Sequence, residues 1–147
     1  MRPFALAQGG SAMLLFGQKE SGVKSKGQLE AEISEALVKF EREYMGRGPE
    51  NVRTYLLEDI VIVRLHGVLT PAERQLSRSD TEGQGRALIK QVRMELLEKA
   101  RPLLEVIVRD ITGQSIKSLH TDISTLTGER IIIFTLTGPV ALPETKV

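Results

Sequence analysis

Apolar residues between Gln28 and Met45 fall at Leu29, Ile33, Leu37, Phe40 and Tyr44. That spacing draws one stripe at helical period and predicts an amphipathic helix over 28–45. Glu30, Glu32, Glu35, Lys39, Glu41, Arg42 and Glu43 are assigned to its other faces. Gly46-Arg47-Gly48-Pro49 follows. Gly46 suits the left-handed position after a helix, and Pro49 cannot continue one. A loop of this kind also offers backbone N–H groups to an anion, with Arg47 at its centre.

The pattern then changes to period two. Val52 to Leu57 alternates weakly and Glu58-Asp59 reverses the chain, although without the Asn-Gly or Asp-Gly signature of a tight hairpin. Ile60 to Leu69 is the clearest strand. Val61, Val63, Leu65, Gly67 and Leu69 share one wholly apolar face, while Ile60, Ile62, Arg64, His66 and Val68 share a face that turns polar. A strand with a helix layer on one side and partial cover on the other reads this way. Thr70-Pro71-Ala72-Glu73 opens a short helix, with Thr70 as N-cap, Pro71 at N1 and Glu73 at N3 of a capping box.

After a polar break at 77–85, a long helical pattern runs over 86–111 on Leu88, Val92, Leu96, Ala100, Leu103, Ile107 and Ile111. Pro102 removes an N–H and crowds the preceding turn, so a kink or two abutting helices is expected. Thr112-Gly113 ends it. Residues 115–124 and 130–137 read as strands, with a turn at Leu126-Thr127-Gly128. Ile132, Phe134 and Leu136 share one face of the last strand.

The order helix, glycine stop, strand, strand thus occurs twice, over 28–69 and 86–137. One two-stranded ribbon is marginal alone. Two αββ units therefore predict an α+β domain with a four-stranded antiparallel sheet and helices packed on one face. Residues 28–138 form that domain, preceded by a flexible lead over 1–27, with the small apolar patch Met13 to Phe16, and followed by a loose tail over 139–147. The open face or a sheet edge is then free for a partner, and a homodimer is the simplest cover.

Composition narrows the functional classes. The 147 residues carry a net charge of +1, so no global field recruits nucleic acid or an anionic membrane. Six aromatic residues give little stacking surface for single strands. The absence of cysteine removes disulfides and thiolate chemistry. No stretch approaches the roughly 20 apolar residues of a membrane span. Gln8-Gly9-Gly10-Ser11 interrupts any signal-like apolar run, and a cytoplasmic location is expected.

Candidate chemistry is sparse. His120 and Asp122 lie two residues apart on one strand face, so Asp122 could orient the imidazole, or both could ligate a metal with His66 or a distant carboxylate as third ligand. Ser124 adds the letters of a triad but lacks a nucleophile elbow. Asp110, Glu129 and Arg130 read as ordinary helix-end and turn residues. The candidate ligand or partner surface is therefore Arg47, His66, His120, Asp122 and Ser124. No catalytic residue, metal site or cofactor is assigned.

Gly46-Arg47-Gly48-Pro49, IVIVRLHGVLTPAE at 60–73, Thr112-Gly113, HTDIS at 120–124 and TGER at 127–130 occur in an order and spacing that resemble the MpsC family over about 27–137. The resemblance implies a small soluble component of a bacterial sodium-translocating, membrane-potential-generating system, whose larger partners include an antiporter-like membrane subunit. It brings no catalytic residues. The expected role is a noncatalytic accessory subunit, peripheral at the inner face of the membrane through a partner and not inserted in it. A small-ligand or metal-sensing domain using His66, His120 and Asp122 is the other reading.

Overall fold

The computed structural model describes residues 23–79 and 82–143. The element order is α1 (Lys26–Met45), β1 (Asn51–Leu57), β2 (Ile60–His66), α2 (Pro71–Arg78), α3 (Gln84–Lys99), α4 (Arg101–Thr112), β3 (Ile116–Ile123) and β4 (Arg130–Leu136). The four strands form one antiparallel sheet in the order β1-β2-β4-β3. The second strand of each hairpin meets the other at the centre. The two αββ halves thus share a sheet, as their repeated pattern predicts.

Helix α1 begins earlier than its apolar stripe suggests. Ser25 caps it in a full capping box with Gln28, which moves residues 25–27 from the expected lead into the domain. The rest of that lead, 1–22, lies outside the described residues, as do 144–147 of the expected tail. Val140 belongs to the core at 9% exposure, so the start of the tail is packed and not loose. Leu29, Ile33, Leu37 and Phe40 are buried as their spacing requires, but Met45 takes the last core position. Tyr44 stays 44% exposed and stacks on Phe40 with ring centroids 5.0 Å apart.

The hairpin β1–β2 turns in two residues, with Leu57 facing Ile60. Glu58 holds φ +55 there, the one positive-φ residue other than glycine among the described residues. Strand β2 stops at His66 and not at Leu69. Gly67 takes φ +66, and a Cβ at that position would lie 2.5 Å from the Glu50 side chain. The turn sends Val68 and Leu69 into the core. At Pro102 the helix divides, with α3 ending at Lys99 and α4 restarting at Arg101.

The inner face of the sheet carries Thr54 and Leu56, Val61, Val63 and Leu65, Ile132, Phe134 and Leu136, and Ile116 and Ile123. Helices α1, α3 and α4 cover this face. The buried positions on α3 and α4 are Gly85, Ile89, Arg93, Leu97, Leu104, Val108 and Thr112, with Ala100 at the junction. This corrects the expected stripe by one residue. Leu88, Val92 and Leu103 remain 51%, 45% and 38% exposed.

Candidate functional site

The capping box predicted at 70–73 forms. The Thr70 hydroxyl accepts the Glu73 N–H at 3.1 Å, and Glu73 Oε1 accepts the Thr70 N–H at 2.9 Å. This fixes the Glu73 carboxylate at the start of α2, where Arg93 of α3 grips it. Arg93 Nη2 donates to Oε1 at 2.7 Å and Nε to Oε2 at 2.9 Å, a bidentate pair that also fixes orientation. Arg93 Nη2 also donates to the Val68 carbonyl at 2.9 Å. The fourth contact of Arg93, from Nη1, reaches Glu41 Oε1 of α1 at 3.5 Å.

Glu41 is 0% exposed and stands between two arginines. Its other oxygen lies 3.5 Å from Arg130 Nη1, on the first residue of β4. Arg130 is 1% exposed and also donates from Nε to the Thr121 hydroxyl at 3.3 Å. Two carboxylates and two guanidiniums thus form a neutral quartet that joins α1, α2, α3 and β4. Full burial of such charges is tolerated when they are paired and hydrogen-bonded.

Their ionisation reflects this setting. Burial pushes Glu41 above the ordinary glutamate range, and the two arginines only partly oppose it. Burial also acts on Glu73, but the hydrogen bonds from Arg93 and the Thr70 N–H outweigh it and hold its pKa low. Burial lowers the Arg130 pKa.

These residues depart from expectation: Glu41 was assigned to the polar side of α1 and Arg130 to a turn, and Arg93 stands outside the apolar stripe expected over 86–111. Each had a readable signal. Leu37-Glu41-Met45 and Ile89-Arg93-Leu97 put a charge at a core register in two helices. Arg130 shares strand parity with Ile132, Phe134 and Leu136. Opposite charges at core registers are a reason to look for a buried pair.

The outer face of the sheet is different. Its rows follow the strand register: Arg53, Arg64, Ile131 and Asp122; then Tyr55, Ile62, Ile133 and His120; then Leu57, Ile60, Thr135 and Ser118. Tyr55 and Leu57 are 43% and 58% exposed, and the four isoleucines are half-buried by one another. Among the described residues no helix covers this face. It has an apolar centre with charge along one end, where Arg64 pairs with Glu129 at 2.6 Å.

The five residues chosen from sequence do not converge. His120 and Asp122 do share the outer face of β3 as expected. His120 Nε2 lies 3.3 Å from the Ser118 hydroxyl, and Asp122 pairs with Lys90 at 3.2 Å. The Asp122 carboxylate accepts the Ile123 N–H, which lowers its pKa together with Lys90. His66 sits on β2 at the far end, 3.9 Å from Glu129. It is two strands and two same-face rows from His120, or about 10 Å across and about 14 Å along the sheet. Ser124 turns inward to its own loop, where its hydroxyl accepts the Thr127 N–H at 3.1 Å. Arg47 donates to the Leu69 carbonyl at 3.4 Å and pairs with Glu50 at 3.7 Å, so it ties the loop after α1 to the loop after β2. Among the described residues no three His, Asp or Glu side chains gather in a metal-binding group.

What the geometry offers is therefore a buried electrostatic joint on one side of the sheet and a largely apolar face, uncovered among the described residues, on the other. The sequence profile described as the Na+-translocating membrane potential-generating system (MpsC) matches residues 25–138. The chain belongs to the MpsC family. Its span includes the whole sheet, the four helices and every member of the quartet. The chain is also 46% identical over 113 residues to the uncharacterized protein YbcI of Bacillus subtilis, a match covering 77% of this chain and 89% of that protein. No solved structure matches it.

Proposed function

We propose that this MpsC-family chain is a noncatalytic interaction subunit that docks, through the outer face of its sheet, on a membrane subunit of a sodium-translocating, membrane-potential-generating system. The observation that carries the reading is the asymmetry of the sheet. One face is consumed by α1, α3 and α4, and the other presents Tyr55, Leu57, Ile60, Ile62, Ile131 and Ile133 with no helix over them among the described residues. Contiguous apolar surface of this kind marks an interaction site. The family description, a Na+-translocating membrane potential-generating system, supports a partner within such a system. Four strands about 4.8 Å apart and about 24 Å long offer roughly 450 Å² per face, which suits a reversible docking contact rather than an obligate one.

Among the described residues no helix is long and apolar enough to cross a membrane. In this reading the subunit works at the cytoplasmic side and is held there by its partner. Affinity capture from native membranes tests it. The full-length chain should recover an antiporter-like membrane subunit, and Tyr55→Asp with Leu57→Asp should not. Capture that yields no transporter subunit from cells expressing one overturns the reading. A concentration-dependent dimer abolished by the same two substitutions would instead assign the face to a second copy of the chain.

A further inference from the structure

The quartet is not evenly satisfied. Arg93 places its donors on Glu73 and Val68 at 2.7–2.9 Å, well within normal hydrogen-bond range. Arg130 is equally buried but makes only two contacts, from Nε at 3.3 Å and from Nη1 at 3.5 Å. A guanidinium carries five N–H donors. Both N–H groups of Arg130 Nη2 have no acceptor among the described residues. Leaving donors of a buried cation unmet is strongly unfavourable, and such groups call for a partner.

A cavity of about 100 Å³, lined in part by Arg130, lies between α3 and β3. Arg130, Arg93 and Lys90 line it with Thr121 and Asp122, and Met94 and Ile123 complete its wall. Thr121 is already committed. Its hydroxyl donates to the Ile131 carbonyl at 2.9 Å while it accepts Arg130 Nε, so it positions the guanidinium and has no proton left for a ligand. Lys90 and Asp122 pair at the mouth, with side chains 48% and 77% exposed, so the cavity has a polar entrance.

We propose that this cavity binds one small oxyanion, held by the unpaired edge of Arg130 and the Nη1 side of Arg93, with Lys90 turning from Asp122 to meet it. The volume suits a group the size of phosphate, sulfate or a short carboxylate. Planar guanidinium edges suit two oxygens of such a group.

Charge balance adds a further consequence. Arg93 and Arg130 are matched by Glu41 and Glu73, and Lys90 by Asp122, so a bound carboxylate leaves the cluster one negative charge in excess and a sulfate two. Glu41 faces Arg93 of α3, Arg130 of β4 and Glu73 of α2, and burial already favours its neutral form. Proton uptake at Glu41 removes one of these charges, so anion affinity rises as pH falls.

The test is a titration of the full chain with inorganic phosphate, sodium sulfate and sodium acetate, with sodium chloride at matched ionic strength as reference. The readout is the NMR signal of the Arg130 side-chain Nε–H and the Thr121 and Ile123 amides. A saturable one-to-one shift with an oxyanion and not with chloride is expected. Lys90→Ala, an exposed position, should keep the fold and weaken binding about tenfold, the scale of one charge-assisted contact. No saturable shift from any of the three oxyanions at millimolar concentrations overturns the proposal. So does binding that Lys90→Ala leaves unchanged, or binding that shifts only residues away from β3 and α3, because then the anion sits elsewhere. If Lys90→Ala perturbs the fold, Lys90→Gln gives the same comparison.

Discussion

Replacing Arg93 with methionine tests the quartet most directly. Methionine keeps much of the volume and removes the fork. Four contacts disappear: two to Glu73, one to the Val68 carbonyl and one to Glu41. Glu73 is 21% exposed on its side chain and regains some water. Glu41 cannot, and keeps only Arg130 at 3.5 Å. Breaking a buried ion pair on one side costs about 3–5 kcal/mol, and the partial rehydration of Glu73 places the expected loss near the lower end, about 3 kcal/mol. For a domain of this length that is a fall in Tm of roughly 10–15 °C. Equilibrium urea unfolding, with the m-value checked for constancy, measures it. Arg93→Met combined with Glu73→Gln should lose little beyond Arg93→Met alone, because both remove one coupled unit. A loss under about 1 kcal/mol for Arg93→Met would refute the claim that this arginine holds α1, α2 and α3 together.

Three other outcomes follow from particular atoms. The two glutamates respond oppositely to pH. The stabilising contribution of Glu73, whose folded pKa is depressed, is present above its unfolded value and lost as pH falls through the folded one, so the advantage of the wild type over Glu73→Gln shrinks in acid. Glu41 has a raised folded pKa, so the wild type loses ground to Glu41→Gln as pH climbs from the ordinary glutamate range through that raised value; urea melts across pH check both signs. Gly85→Ala brings a Cβ to 2.7 Å from the Leu76 carbonyl oxygen and should destabilise by about 1–3 kcal/mol in the same assay, because backbone must move. Glu58→Gly relieves φ +55 in the β1–β2 turn and should raise stability by about 0.5–1 kcal/mol, read as a higher Tm.

Much of the architecture was legible because it rests on local rules. The capping box at Thr70, the helix break at Pro102 and the alternation of β2 and β4 each follow from short-range sterics and hydrogen bonding. The doubled αββ order was enough to place both hairpins in one sheet. The misread stripe on α3 and α4 has a different origin. Leu88-Val92-Leu96 and Ile89-Arg93-Leu97 run side by side, and hydrophobicity favours the first. The helix buries the second because Arg93 finds Glu73 and Glu41, partners 20 and 52 residues away. The five candidate site residues were chosen for their chemical types. Register then spread them over both ends of the sheet, and nothing local encodes that distance.

Helix α2 has no buried residue of its own. What secures it is mostly polar: Arg93 holds the Glu73 carboxylate, the Ser77 hydroxyl donates to the Thr125 carbonyl at 3.3 Å and Arg74 lies 3.6 Å from Glu50, while Leu76 sits against Gly85. Its attachment to the rest of the fold therefore rests on charge and hydrogen bonds far more than on buried apolar surface. Of the four helices it is the one whose hold on the rest is electrical, so removing a single charge should loosen it ahead of the oil-packed core.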